Sequence, residues 1–251
     1  MLNKEEQKTL MSIGETLYLK RTISLIDDFI KENDYNEKAY LLVFDELYRI
    51  INEAKSYVDE YLKERKAKGE IKDEKQALKS IAGNSFSQAL IYIFLKNKEI
   101  ENIRDDIFIT NKVSKIPSFK EILLINVDGQ TQKPDCDIVI YSLNHDNSLK
   151  KCMILSLKTS LRERAGQTYK WKLLMEIARS DGHIKEKYNI VYNPIKIPLV
   201  AFATVNFYNE INNPQHKGMF KFFDKSFIAK NIETDFIDKM STLPKFVNEN
   251  L

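Results

Sequence analysis

The sequence predicts a mixed α/β protein of the α+β kind, in which a helical N-terminal portion leads into a sheet-bearing core. Three observations predict it. Apolar residues recur at helical spacing over roughly the first hundred positions, short β-type runs take over after Asn97, and 251 residues with seven glycines and six prolines suffice for one sizeable core without long linkers. A hydrophobic fraction of 43% and a charged fraction of 30% are those of a globular chain and exclude disorder. We expect residues 1–72 to form the helical portion and 73–251 the core, as one continuous unit.

From Glu5 to about Lys68, Leu19, Ile23, Leu25, Ile26 and Ile30 form one apolar stripe. Leu41, Val43, Phe44, Leu47, Ile50 and Ile51 form the next, and Asn33-Asp34 between them suits a turn, so two or three helices are expected. Residues 53–75 mix Lys with Glu and read as an exposed helix end. A further helix over Glu74 to Lys98 has a core face of Ala89, Leu90, Ile93 and Phe94, with Gly83 its weak point. Strands are expected at Ile107–Thr110, Ile122–Val127, Asp137–Tyr141, Cys152–Lys158 and Pro198–Phe207, with a helix at Leu161–Arg179 before the last. Asn212-Asn213-Pro214 punctuates the chain ahead of a short helix through Phe222 and a strand near Phe227–Ala229. There is no internal repeat.

Cys136 and Cys152 lie inside strand-like runs and not at scaffold spacing, and no charged-then-apolar leader opens the chain, which predicts reduced thiols and a cytoplasmic location. The longest apolar stretches, such as Ile197–Phe207, are too short to span a bilayer, so no membrane segment is expected. His145, His183 and His216 make no zinc-ligand spacing with the cysteines.

The net charge is +3, but between Lys150 and Lys172 seven cations (Lys150, Lys151, Lys158, Arg162, Arg164, Lys170 and Lys172) stand against Glu163 alone. That segment carries +6, leaving −3 for the rest. Such a cluster attracts a polyanion through phosphate contacts and counterion release; the plainer reading is a solvated basic face.

Alternate residues of a strand share a face, so Asp135 and Asp137 point one way, as do Cys152, Ile154, Ser156 and Lys158. The polar stretch Ser142 to Ser148 has the turn chemistry of an antiparallel hairpin. With the turn centred on Asp146 and Asn147, Asp137 lies against Ser156 and Asp135 against Lys158; a two-residue slip would keep the faces and exchange partners. Carboxylates beside a lysine on the rims of apolar strands suit metal-assisted phosphodiester hydrolysis. The carboxylates hold Mg²⁺, a hard ion that prefers oxygen, and lysine orients or deprotonates the attacking water and offsets developing charge. Alternatively, the two aspartates merely begin a strand after Pro134, and Lys158 ends one.

The strings KPDCDIVIY (133–141) and ILSLKTSLRER (154–164) resemble the PD-(D/E)xK nuclease superfamily, and more narrowly type II restriction endonucleases, in which a lysine-terminated strand leads into an arginine-rich segment. The resemblance covers about residues 80–210. It implies a central mixed sheet flanked by helices, Mg²⁺, double-stranded DNA as substrate, a homodimer cutting a short palindrome, and a cognate DNA methyltransferase in the same host. Asp137 is the favoured metal ligand, since it directly precedes the apolar strand, while Asp135 keeps the Pro-Asp adjacency. The family's second acid falls at Ser156, which offers no anionic ligand, so a replacement is needed: Glu163 or Glu176 on the following helix, or Asp135 if Asp137 leads. A second departure lies at Gly83-Asn84-Ser85-Phe86, where Ser87 stands in place of an acid.

Glu163 also fits a capping box with Ser160. Arg162, Arg164 and Gln167, followed by Lys170 and Lys172, are placed to meet DNA; arginine binds phosphate or reads guanine, and glutamine reads adenine. Gly166 could permit close approach to DNA or mark an irregular helix start. Trp171, Leu174, Met175 and Ala178 read as the core side of that helix, and Phe207-Tyr208 could open a DNA-contacting loop. Two other functions stay open: a repair or recombination nuclease recognising structure, and a catalytically inert DNA-binding module, which Ser156 makes plausible.

Overall fold

A computed structural model describes residues 1–133, 136–161 and 163–251, with the backbone alone for 163–165 and 167. The N-terminal portion holds α1 (Lys4–Glu15), α2 (Lys20–Glu32), α3 (Glu37–Leu42), α4 (Leu47–Glu53) and α5 (Lys55–Ala67), more than the two or three helices expected. The single apolar stripe from Leu41 to Ile51 is split by turns between Val43 and Glu46, which periodicity alone does not reveal. Asn3 caps α1 in a full capping box with Glu6, and Asn36 caps α3 through the Ala39 amide. α5 is the exposed, mixed-charge helix, and only Val58 and Leu62 of it are buried.

α6 (Glu74–Glu99) is started by Asp73, whose carboxylate accepts the Lys75 and Gln76 amides. It runs unbroken past Gly83, where a Cβ would meet nothing within 4 Å. Ala89 through Leu95 are all buried, because the helix lies between the N-terminal helices and one face of the sheet. Its Lys98 is buried too. The ammonium donates to Glu6 Oε1 and to the Ile107 carbonyl, both at 2.7 Å, and sits 4.1 Å from the Phe108 ring centroid, tying α1, α6 and the first strand together.

That strand is β1 (Ile107–Thr110). After it come α7 (Phe119–Leu123), β2 (Ile125–Val127), β3 (Gln130–Gln132), β4 (Ile138–Leu143), β5 (Leu149–Lys158), α8 (Glu163–Arg179), α9 (His183–Lys187), β6 (Ile190–Val191) and β7 (Leu199–Thr204). The chain ends with α10 (Pro214–Phe220), β8 (Lys225–Ile228), β9 (Asp238–Lys239) and α11 (Leu243–Asn250). The expected strand at 122–127 is therefore half helix: Ile122 and Leu123 are buried as the last turn of α7, and an apolar run by itself does not distinguish the two. The expected strand through Phe207 stops at Thr204, because Asn206 takes a left-handed backbone (φ 51°) that a continuing strand cannot hold.

The central sheet is mixed, in the order β1-β4-β5-β7-β8-β9; β1, β4 and β5 are antiparallel neighbours, and β5, β7, β8 and β9 run parallel. A small antiparallel sheet, β3-β2-β6, stands apart. Helices cover the central sheet on both faces. Ile138, Ile140, Met153, Leu155 and Ala203 share a core with the N-terminal helices and α6. Val139, Cys152, Ile154, Val200 and Phe202 share the other with α8 and α10. Among the described residues no helix is long and apolar enough to cross a membrane.

Candidate active site

The β4–β5 hairpin has the register expected from its turn. Ile138 pairs with Leu155, Val139 with Ile154 and Tyr141 with Cys152, with an irregularity only at Ser142/Leu143 beside the loop. Extending that register one step sets Asp137 opposite Ser156. The Asp137 Oδ2 accepts the Leu157 amide at 2.7 Å and the Lys158 ammonium at 3.1 Å, with the Ser156 hydroxyl at 3.4 Å. The Lys158 side chain is 9% exposed and that of Asp137 31%. The ammonium is thus sheltered and the carboxylate still open to a ligand.

Parallel pairing sets Lys158 beside Thr204, so the site lies at the C-terminal ends of β5 and β7, where open α/β sheets bind their ligands. From the helix layer, Thr168 Oγ1 of α8 reaches Ser156 Oγ at 3.1 Å, and both residues are buried. The position that would hold an acid by resemblance is filled by a hydroxyl pair joining sheet to helix.

The remaining sequence-chosen residues divide. Asp135 and Arg162 lie outside the described residues, as do the side chains of Glu163, Arg164 and Gln167. Lys170 is exposed. Lys172, expected to meet DNA, is instead buried: its ammonium donates to both oxygens of Asp224 at 2.8 Å and lies 3.4 Å from Glu176. Asp224 also accepts the Val200 amide at 2.7 Å. Val200 pairs with Ile154, four residues short of Lys158, so this cluster lies about 13 Å down the strands from the site.

Glu176 goes with it, some 12 Å along α8 from Thr168, too far to ligate an ion held by Asp137. Trp171 stays part-exposed, whereas Leu174, Met175 and Ala178 join the core. The Ser160 hydroxyl donates to Glu210, an acid not among the sequence-chosen residues, and the Glu163 side chain of the expected capping box lies outside the described residues. Glu210 sits in a polar loop after a core strand, and only its neighbourhood, Phe207-Tyr208 onward, carried a signal.

An ion bound here meets hard oxygen donors. Among the described residues no three His, Cys, Asp or Glu side chains gather as a ligand cage. The open Asp137 carboxylate is an oxygen donor of the kind a hard divalent cation takes.

A mixed sheet covered by helices, with an aspartate and a lysine meeting on adjacent strand ends, defines a restriction-endonuclease-like nuclease fold. Comparison with known proteins agrees. The family described as BsaWI restriction endonuclease type 2 matches residues 115–249. The chain belongs to this family of type II restriction endonucleases, which are site-specific nucleases. It is 31% identical over 166 residues to a probable type II restriction enzyme, HpyAORF263P, of Helicobacter pylori, covering 63% of this chain and 82% of the relative. It is 27% identical over 133 residues to a putative type II restriction enzyme, MjaVIP, of Methanocaldococcus jannaschii, over 51% of this chain and 58% of that relative's length.

Proposed function

We propose that the chain hydrolyses phosphodiester bonds of double-stranded DNA at a specific sequence, using Mg²⁺. The observation that carries this is the Asp137 carboxylate, held by the Leu157 amide and the Lys158 ammonium at the strand ends while a third of it remains exposed. Asp137, with Asp135, holds the ion, which when bound supplies Lewis-acid stabilisation of the phosphate. Lys158 orients the attacking water from Nζ and balances the charge that develops on the phosphoryl oxygens. Ser156 and Thr168 keep the Asp137 carboxylate in register with the sheet. Lys170, together with Arg162, Arg164 and Gln167, contacts DNA, and the chain acts as a homodimer alongside a methyltransferase that protects the host.

The test is digestion of defined linear DNA with Mg²⁺ and with EDTA, followed by sequencing of the ends. Discrete bands with one shared end sequence, seen only with Mg²⁺, support the reading. Structure-dependent nicking would assign the chain to repair instead, and absence of cleavage with any divalent metal would leave it a binding module.

A further inference from the structure

Two residues beyond Lys158 the chain leaves β5 and turns toward α8. The Ser160 hydroxyl and the Leu161 amide both donate to Glu210 Oε2, at 3.1 and 2.7 Å. Glu210 is itself held in place: its amide donates to Asn206 Oδ1 at 2.7 Å, and its carbonyl lies 2.8 Å from His216 Nδ1. Asn206 is buried, and its amide donates to Thr204 Oγ1 at 2.9 Å. Thr204 is the β7 residue paired with Lys158. A closed circuit of contacts therefore runs from the lysine-bearing strand to its parallel neighbour, through Asn206 to Glu210, and back to the linker that follows the lysine. The Phe207 amide, donating to the Thr159 carbonyl at 3.2 Å, closes it a second time.

The described part of the linker, Thr159 to Leu161, lies between a strand end and a helix start, and the amide of the fully buried Leu161 finds its acceptor in this carboxylate. An ionised acceptor on a buried amide makes one of the stronger hydrogen bonds available to a protein. We propose that Glu210 is a positioning residue for the cleavage reaction proposed above: its carboxylate fixes the Ser160–Leu161 linker, and so the line along which β5 delivers Lys158 and α8 departs toward DNA. The inference rests on that reading of Asp137 and Lys158, and it assigns Glu210 a role exerted through the linker.

The experiment compares the full chain with Glu210→Ala and Glu210→Gln, since glutamine keeps an oxygen that can accept the Leu161 amide. Single-turnover cleavage at saturating DNA with Mg²⁺, DNA affinity in EDTA and melting temperature are measured for each. Glu210→Ala should cleave about 10- to 100-fold more slowly, the cost of a small misplacement of a catalytic group, with DNA affinity kept and melting temperature lowered by a few degrees as the buried Leu161 amide loses its acceptor. Glu210→Gln should recover most of the rate.

An alanine variant as fast as the parent overturns the proposal, and so does a loss explained wholly by weaker DNA binding. A glutamine variant as slow as alanine, or a fall in melting temperature in both, overturns it as well. If the parent chain does not cleave DNA, the functional reading fails separately, and Glu210 is judged by hydrogen exchange of residues 159–161. Exchange should be faster in Glu210→Ala and unchanged in Glu210→Gln; unchanged exchange in both removes the clamp.

Discussion

The Asp137 carboxylate and the Lys158 ammonium meet at 3.1 Å across the end of the β4–β5 hairpin, and the same carboxylate oxygen accepts the Leu157 amide. The two side chains are thus brought together by the backbone pairing of the hairpin. Asp137→Asn, which retains an acceptor for the Leu157 amide, and Lys158→Ala should each lower cleavage by about 10²- to 10⁴-fold, the usual scale for removing a group that handles protons or charge in the transition state. Folding, followed by circular dichroism, should be retained. Full activity in either variant would remove that residue from the site.

The two lysines of α8 should separate in a salt titration. Lys170 is exposed and Lys172 is engaged with Asp224 and Glu176. Lys170→Ala should reduce the slope of log affinity against log salt by about 1, the value for one lost phosphate contact. Lys172→Ala should leave the slope unchanged and cost about 1–3 kcal/mol in stability, because Asp224 loses its cation. A reduced slope in Lys172→Ala would mean that its ion pair opens to DNA.

Ser156 and Thr168 join β5 to α8 by a buried hydroxyl–hydroxyl contact, beside the apolar packing of the same two elements. Thr168→Val keeps the shape and removes the hydroxyl; Ser156→Ala removes the other partner. In a double-mutant cycle by denaturant unfolding the two should couple by about 1 kcal/mol, the net worth of one buried neutral hydrogen bond. Additive losses would mean that the 3.1 Å contact contributes nothing.

How much of this was legible from sequence depends on how local the signal is. The hairpin register follows from the turn chemistry of Ser142 to Ser148 and from alternation on both sides, and the pairing of Tyr141 with Cys152 matches it. α6 was readable because its cap and length are local, whereas its encirclement by apolar partners is not. Asp224 and Glu210 went unnoticed because each acts on a residue about fifty positions away, the first on Lys172 and the second on Ser160 and Leu161. Lys98 was unreadable for the same reason: its partner Glu6 is 92 residues distant, and a lysine at a helix end ordinarily faces water. Strands of two residues, such as β6 and β9, exist only through their partners.

The last prediction concerns the seam between the N-terminal helices and the far end of the sheet. Asp45, 3% exposed, accepts the Ser241 amide at 2.8 Å through Oδ1, while its Oδ2 has no hydrogen-bond partner among the described residues. Burial pushes its carboxyl above the ordinary aspartate value of 3.8, against the opposing pull of Ser241 and Lys239. A carboxyl with a raised folded value binds its proton more tightly in the folded chain. The folded state is therefore favoured at low pH, and that advantage is lost as pH rises from about 3.8 through the raised value. Asp45→Asn cannot ionise and has no such loss. The difference in melting temperature, variant minus parent, should grow as pH rises across this window and then level off toward neutrality, because every other titrating group cancels in the comparison. A difference that stays constant, or that shrinks with rising pH, would show that Asp45 is ionised without penalty in the folded protein.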